Sequence, residues 1–270
     1  MALSNQESKA HRRLPTAEIC DNSLVIAMII PCKNEAGNIS RIFQSLNEFK
    51  EIDEFIFVEG GSSDGTQKVI QEFIQASVLT NIRLIQQSAI GKFNAVRDAV
   101  SFSKASHFVI WDADLAITIE DQQLLISVYL LQPSRPKFVT ANRLNPQIEE
   151  SAMRRLNLYG NHFFSKINYL VSRINIPDVL AGTKIFPREV LDGLGQCPKA
   201  IELDPFGDLY LISRASKLSL HALSLNCEYK SRNYGETKIK RWSGGLSMLR
   251  FLLHIQIHKC HHPEQPTKSS

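Results

Sequence analysis

The chain contains no long hydrophobic run and no regular spacing of cysteines. Its longest apolar run near the start extends from Leu24 to Ile30, far below the ~18–20 residues that a helix needs to span a bilayer. This run also lacks the small-residue cleavage site of a secretory signal. The five cysteines are odd in number and follow no paired spacing, which indicates reduced thiols. We therefore expect a cytoplasmic protein without a membrane span.

A strong excess of charge of either sign is also absent. The formal net charge is +4, and no segment interleaves basic and aromatic residues as nucleic-acid-binding modules do, so we expect no nucleic acid partner. Hydrophobic residues make up 43% of the chain and charged residues 21%, which is typical of a globular protein. The 270 residues are enough to bury a large core as a single domain.

Apolar runs of strand length alternate with segments of helical spacing in the first half of the chain. Strands are predicted at 24–30, 54–59, 82–85 and 107–111, with helices at 35–50, after Thr66 and at 91–102. Pro31 is expected to end the first strand because it cannot donate to the ladder. This alternation predicts an α/β fold with a mostly parallel, Rossmann-like sheet flanked by helices.

The second half of the chain is less regular. We expect helices at 120–131, 151–174 and 205–216 and strands at 138–141, 184–186 and 219–229. No linker rich in Pro, Gly or Ser separates the halves, which favours a single domain. We predict a flexible arm at 1–22, a domain at 23–260 and a flexible tail at 261–270. Within the domain, a nucleotide-binding half (23–115) would precede an acceptor half (116–260).

Two aspartates follow the central predicted strand. His107 to Trp111 is a short apolar run, and Asp112-Ala113-Asp114 comes directly after it. Ligands of open α/β sheets bind outside the carboxyl ends of the strands, and Mg²⁺ or Mn²⁺ takes one or two carboxylates together with water and substrate oxygens. An isolated Asp-x-Asp is more often only a turn, so its neighbours decide the interpretation.

Three further polar patches follow strands or begin helices in the same half. Pro31 to Glu35 ends the first strand, Glu59 to Thr66 forms a glycine-rich turn after the second, and Gly91 to Arg97 opens the third helix with two cations. Glycine allows close approach of a ligand, and a helix start attracts anions. Each patch alone is also explained as a helix cap, a turn or a solvated helix. Their common placement at strand ends favours a shared site.

These motifs resemble those of family 2 glycosyltransferases, which have the GT-A fold. Pro31 to Glu35 matches the family's Pro-x-x-Asn-Glu, Val58 to Thr66 its Val-Asp-Asp-Gly-Ser-x-Asp-Gly-Thr turn, and Asp112 to Asp114 its Asp-x-Asp. Gly182 to Phe186 and Tyr234 to Ile239 are similar to the polyprenyl- or dolichyl-phosphate sugar transferase branch. The resemblance extends over roughly Leu24 to Leu253 and is specific as an ensemble.

The resemblance implies a nucleotide-diphosphate sugar donor, a divalent metal (Mg²⁺ or Mn²⁺) and inversion at the anomeric carbon. It implies a metal site at Asp112 and Asp114, both of which also count as catalytic. Donor binding is expected at Pro31, Asn34, Glu35, Glu59, Gly61, Ser62, Asp64, Lys92, Arg97, Asp112, Ala113, Asp114, Arg232 and Lys238. Gly60 stands where many members have a second aspartate that helps to read the base, which leaves the nucleobase open.

Asp208 is the third predicted catalytic residue, since the family places an acidic residue at the start of the corresponding helix. An alcohol acceptor needs a general base, for which Asp208 is the best candidate. A phosphate acceptor is already largely ionised at neutral pH and needs none, so Asp208 would then only orient a group. The alternative is a carboxylate that stabilises the helix dipole.

Two downstream segments bear on the acceptor. Residues 230–241 are basic with one glycine, which predicts a loop that orders over the donor or a solvated basic loop. Residues 245–258 form an apolar helix with one polar stripe, which either packs in the core or an oligomer contact or lies on a membrane surface. The His- and Cys-containing run at 258–262 lacks a structural partner, and we treat its metal-binding capacity as adventitious.

The leading hypothesis is a metal-dependent inverting glycosyltransferase, located in the cytoplasm or peripherally at the inner membrane surface. A polyprenyl phosphate is the favoured acceptor, and a saccharide or small hydroxylated metabolite is the next. A sugar-nucleotidyltransferase is the rival enzyme class, but it would want a glycine- and arginine-rich loop after strand one, unlike Pro31 to Glu35. A non-catalytic nucleotide-sugar-binding module is the third class.

Overall fold

The computed structural model describes residues 24–131, 137–144, 155–192, 202–204, 206–231, 234 and 241–257. Its strands are β1 (Ile26–Cys32), β2 (Glu54–Glu59), β3 (Ile82–Gln86), β4 (His107–Ile110), β5 (Lys137–Asn142), β6 (Lys184–Pro187) and β7 (His221–Asn226). Its helices are α1 (Ala36–Ser45), α2 (Thr66–Ala76), α3 (Lys92–Phe102), α4 (Ile119–Leu130), α5 (Arg155–Ser172), α6 (Asp208–Lys217) and α7 (Arg241–Ile257). The predicted arm and tail lie outside the described residues.

The strands form one seven-stranded sheet in the order β3-β2-β1-β4-β6-β5-β7. All neighbouring pairs are parallel except those of β6, which runs antiparallel to both β4 and β5. The expected mostly parallel sheet is thus confirmed. Because β6 is reversed, its beginning lies at the same edge of the sheet as the ends of β4 and β5.

Pro31 does not end the first strand, contrary to the prediction. It lies inside β1 opposite Val58 of β2, and Cys32 continues the strand. Alternate residues of a strand face opposite neighbours. Ile29 accepts from Trp111 on the β4 side, whereas Cys32 accepts from Gly60 on the β2 side. The missing N–H of Pro31 therefore faces the β4 side, beyond the last β1–β4 pair, where no ladder bond is lost.

The end of the first helix also differs from the prediction. The first helix ends at Ser45 and continues only as a 3₁₀ turn at Leu46–Glu48. Phe102, the last residue of α3, is 51% exposed. The buried face of α3 is centred near Val96 and Val100. Since successive helical residues turn by about 100°, the ring of Phe102 falls at the margin of that face.

Two hydrophobic layers cover the faces of the sheet. Ala27 and Ile29 face one layer, whereas Met28 and Ile30 face the other, as alternation along a strand requires. Helices α3, α5, α6 and α7 contribute to the first layer and α1, α2 and α4 to the second. Within the described residues, no helix is both long and apolar enough to cross a membrane.

The apolar helix near the carboxyl terminus packs mainly in the core. Met248, Phe251 and Leu252 of α7 are buried in the first layer, whereas Leu246 and Leu253 are exposed. This arrangement agrees with the core alternative for one face of the helix. Residues 258–262 lie outside the described part of the chain.

Candidate active site

A cavity of about 470 Å³ lies where the carboxyl ends of β1 and β4 meet the segment before β6. Of the predicted site residues, those that line it are Pro31, Glu35, Lys92, Asp112, Ala113 and Asp114. Residues of the second half also line it, among them Arg143, Gly182, Thr183, Phe206 and Tyr229. The cavity therefore joins the two halves of the chain, as ligand sites of open α/β sheets do.

Asp112 is paired with Lys92 across the cavity. The ammonium of Lys92, in the first turn of α3, donates to Asp112 Oδ1. Burial alone would raise the pKa of Asp112, but the charge of Lys92 overcomes it and holds the pKa below its usual value. Gly182 backs this pair so closely that a Cβ there would overlap both the carboxylate and the amine. Both groups therefore remain charged at neutral pH.

Asp114 lies two residues further along and also lines the cavity. Its Oδ1 accepts from the Ala116 N–H at 3.1 Å, which fixes the loop that leaves β4. Among the described residues, no group of three or more His, Cys, Asp or Glu side chains gathers at one point. The two aspartates nonetheless fit Mg²⁺ or Mn²⁺, which take few protein carboxylates and complete their shell with water and substrate phosphate.

Glu59 organises the glycine turn after β2. Its carboxylate accepts from the N–H groups of Gly61 at 2.9 Å and Ser62 at 2.6 Å and from the Gln86 amide at 2.6 Å. Burial alone would raise the pKa of Glu59, but the bonds from Ser62, Gln86 and Gly61 hold it below the usual value. Glu59, Gly61 and Ser62 are not among the residues that line the cavity.

Asn34 and Asp64 tie the first two loops together. The Asn34 side chain accepts from the Ser63 N–H at 2.8 Å. The Asp64 carboxylate accepts from the N–H groups of Thr66 at 3.0 Å and Ala36 at 3.1 Å. Asp64 thus supports the starts of both α1 and α2. Neither Asn34 nor Asp64 lines the cavity, and their role in donor binding stays a prediction.

Arg97, Arg232 and Lys238, the other predicted cations of the donor site, are not among the described residues that line the cavity. Arg97 donates to Asn94 within α3 at 2.9 Å and is absent from the lining. Arg232 and Lys238 lie outside the described residues, as does most of the predicted lid at 230–241. Within that predicted lid, Tyr234 belongs to the described residues. Its hydroxyl donates to Asp64 at 3.2 Å, and its ring lies against Gly37.

Arg143, which follows β5 and lines the cavity, was not among the predicted site residues. Its Nε and Nη2 donate to Asp178 at 2.7 and 2.9 Å, and its guanidinium lies 5.0 Å from the centre of the Tyr229 ring. Asp178 is fully buried and also accepts from Asn161 of α5. The signal was a cation two residues after the strand predicted at 138–141.

Asp208 begins α6 but does not line the cavity. Its Oδ1 accepts from the fully buried ammonium of Lys184, which also donates to the Ala181 carbonyl. Nearby Asp204 accepts from the N–H groups of Gly207 at 3.1 Å and Tyr210 at 2.8 Å. Burial, followed by repulsion from Asp208, raises the pKa of Asp204 to about 7. Lys184 thus ties the start of α6 to the segment before β6.

Comparisons with known proteins agree with this architecture. The model of "Glycosyl transferase family 2" matches residues 27–195. The dolichyl-phosphate beta-glucosyltransferase of Dictyostelium discoideum is 25% identical over 187 residues, which cover 62% of this chain and 55% of that protein. The chain thus spans about half the length of the curated relative it matches.

Two solved structures share the fold. Glucosyl-3-phosphoglycerate synthase from Mycobacterium tuberculosis, in complex with Mn²⁺, UDP and glucosyl-3-phosphoglycerate, has a TM-score of 0.60 at 15% identity, covering 90% of this chain and 82% of that one. Mannosyl-3-phosphoglycerate synthase from Rubrobacter xylanophilus has a TM-score of 0.61 at 18% identity, covering 91% and 79%. At such low identities the similarity concerns the fold alone.

Proposed function

The chain belongs to glycosyl transferase family 2, with the GT-A fold, and we propose that it passes a hexose from a nucleotide diphosphate to a phosphate-bearing acceptor with inversion. That it is a glycosyltransferase with a nucleotide-sugar donor follows from the family. The favoured acceptor is a polyprenyl phosphate, in keeping with the acceptor named for the Dictyostelium relative. A small phosphorylated acceptor, as named for the structural neighbours, is the alternative.

The donor side of the cavity would hold the diphosphate. Gly91 and Lys92 place the start of α3 and one ammonium in the wall, and both features attract phosphate. Asp112 and Asp114 would hold Mg²⁺ or Mn²⁺. When bound there, the ion supplies Lewis-acid stabilisation of the charge that develops on the leaving diphosphate. Lys92 adds a second positive charge beside Asp112.

Arg143 carries the proposal on the acceptor side. Asp178 accepts hydrogen bonds from two of its nitrogens, so the guanidinium is held in one orientation in the cavity wall. A pre-oriented guanidinium is suited to a phosphate, which it binds through paired charge-assisted hydrogen bonds. An uncharged saccharide acceptor would gain less than a phosphate from a guanidinium in this wall.

A phosphate acceptor also agrees with the surroundings of Asp208. In the proposed reaction an acceptor phosphate oxygen forms a bond to the anomeric carbon as the bond to the donor diphosphate breaks. No proton has to be removed, because the phosphate is already ionised. Asp208 can then remain paired with Lys184 and act as a positioning residue. Asp208 as a general base is the corresponding proposal for an alcohol acceptor.

The experiment is a transfer assay with matched acceptors. UDP-, GDP- and dTDP-sugars are first screened with Mn²⁺ for thermal stabilisation, because a ligand that binds the native state raises its melting temperature. The best donor is then offered polyprenyl phosphate, the matching unphosphorylated polyprenol, and 3-phosphoglycerate. We expect transfer to polyprenyl phosphate, loss with a chelator, and loss in Asp114→Asn.

Arg143→Met should raise the KM for the phosphorylated acceptor at least about tenfold, since a charge-assisted bond contributes about 1.5–3 kcal/mol. The donor KM should change little. Arg41→Met, at a cation exposed on α1 and outside the cavity lining, is the matched control. Transfer to the polyprenol but not to either phosphate would overturn the proposed acceptor class. Full activity of Asp114→Asn would overturn the metal site.

A further inference from the structure

One face of α5 carries large apolar side chains in contact with solvent. Tyr159, Phe163, Tyr169 and Leu170 are 69%, 54%, 47% and 63% exposed. His162 and Lys166 are exposed on the same stripe of α5, and Arg173 is exposed directly after the helix ends. We call these seven residues the α5 outer face. A folded chain gains nothing from such exposure, so a continuous patch of this kind marks a contact surface.

The opposite face of α5 is already fully used. Phe164 and Ile167 pack against the first core layer, and Asn161 and Asn168 are buried. The helix also contacts α6 and α7. The α5 outer face is therefore not an inward face that has lost its neighbour. It is a second apolar surface on a helix whose other side already packs against the core.

The two chain segments that contain α5 and α7 carry basic residues and no acidic ones. The sequence contains no Asp or Glu between Glu150 and Asp178, and none between Glu236 and Glu264, which encloses α7. The neighbouring helix α7 adds exposed Leu246, Arg250 and Leu253. The result is a surface in which aromatic and aliphatic side chains alternate with cations.

The combination of apolar and basic side chains favours one kind of binding partner for this face over another. A second copy of the chain would meet the face in an isologous contact, in which the same patch faces itself. Lys166 and Arg173 would then meet the same cations without a carboxylate to pair with, which is unfavourable. An anionic lipid surface instead accepts apolar rings at the headgroup boundary and attracts the cations that flank them. Tyrosine is also a favoured residue at that boundary.

The face lies directly behind the cavity wall. Asn161, two residues before Phe163, donates to Asp178, which holds Arg143 in the lining. We propose that the α5 outer face seats this protein on an anionic membrane surface, with the Arg143 wall of the cavity carried by the same helix. The proposal concerns attachment and holds whatever acceptor the enzyme uses.

Flotation of the full chain with vesicles tests the attachment. Vesicles of phosphatidylcholine with phosphatidylglycerol as the minority lipid should carry the protein upward, and vesicles of phosphatidylcholine alone should carry much less. Phe163→Glu combined with Leu170→Glu should abolish flotation. Phe102→Glu, at a phenylalanine that is 51% exposed on α3, is the matched control and should float like the native chain.

Variants that remove charge distinguish electrostatic attraction to anionic lipid from nonspecific hydrophobic adsorption. Lys166→Gln with Arg173→Gln should lower the partition coefficient about tenfold or more at low salt, because each cation near an anionic surface contributes about 1 kcal/mol. Lys68→Gln, at a lysine exposed on α2, should not. Leu170→Trp tests the position of the face in a chain that retains the native charges. Brominated lipid should quench its emission more strongly than that of the native chain, which already contains Trp111 and Trp242.

Three outcomes would overturn the proposal. One is the absence of binding of the native chain to the anionic vesicles. The second is unchanged flotation of the Phe163/Leu170 double variant with native circular dichroism. The third is a concentration-dependent dimer in sedimentation that the double variant abolishes, which would make the face a contact between copies. Failure of sugar transfer in the acceptor assay would leave these readouts unaffected.

Discussion

Gly182 and Asp112 approach each other so closely that one methyl group at residue 182 would overlap the Asp112 carboxylate. The same methyl group would also overlap the Lys92 ammonium that neutralises this carboxylate. The backbone before β6 therefore forms the back of the donor side of the cavity. Glycine is required at residue 182 by this contact and not by an unusual backbone angle.

Gly182→Ala should displace Asp112 and Lys92 and lower kcat/KM for sugar transfer by about 100-fold, since small misplacements at a reacting centre have effects of this size. Overpacking should also cost about 1–3 kcal/mol of unfolding free energy. Initial rates and urea unfolding check both values. Gly160→Ala, in α5 with open space around it, is the control and should be neutral or slightly stabilising. Native activity of Gly182→Ala would contradict the arrangement.

Asp178→Asn should destabilise the fold by about 3 kcal/mol, because it leaves the Arg143 guanidinium without its buried counter-ion. Burial alone would raise the pKa of Asp178, but the charge of Arg143 holds it below the usual value, so the pair is ionised at neutral pH. Glu72→Gln breaks the exposed pair with Lys68 and should cost less than about 0.5 kcal/mol. Equal losses in urea unfolding would argue against a special role for the buried pair.

Asp204 should make stability fall as pH rises. Its pKa is about 7 in the folded chain against an ordinary value of 3.8. Between these values the folded chain holds a proton that the unfolded chain has released. Unfolding free energy from this group therefore declines from about pH 4 to about pH 7 and levels off above.

Asp204→Asn should remove that decline. Urea unfolding at about pH 5 and about pH 8 compares the two chains. The native chain should lose at least about 1.4 kcal/mol more than the variant between these conditions, which corresponds to one unit of pKa. Parallel pH profiles of the two chains would show that Asp204 does not titrate in this range.

Arg188 should be a strong stabilising residue remote from the cavity. Its guanidinium donates to the carbonyls of Val100, Ser103 and Ala105 at 2.9, 2.7 and 2.8 Å and stacks on Phe108. It thereby fixes the end of α3 to β4. Arg188→Met should cost about 3 kcal/mol, with Arg41→Met on the exposed side of α1 as the control. A loss below about 0.5 kcal/mol, the range of ordinary surface changes, would contradict this role.

Much of the donor half was predictable because its signals are local. The strand at 54–59 was placed correctly, since an apolar run is bounded by turn residues on both sides. Asp112 and Asp114 were expected at the edge of a parallel sheet, and both line the cavity. The Pro31 boundary was wrong because the missing donor faces a side of β1 without a partner, and only the strand order reveals this.

The acceptor half depends on contacts between distant residues, which a single sequence does not display. Arg143 and Asp178 are 35 residues apart, and Lys184 and Asp208 are 24 apart. Neither pair follows a helical or strand period. The apolar helix α7 posed a different problem, because its pattern suited both a core and a surface. Burial of Phe251 and Leu252 settles the core for that side of the helix.

The reversed direction of β6 determines which chain segments form the cavity wall. In a sheet whose strands were all parallel, only segments that follow a strand would lie at this edge. Because β6 is inverted, the segment that precedes it also lies at this edge. Gly182 and Thr183 are therefore placed between Trp111 and Arg143. The close contact of Gly182 with Asp112 and Lys92, which leaves no room for a methyl group, therefore depends on the inverted direction of β6.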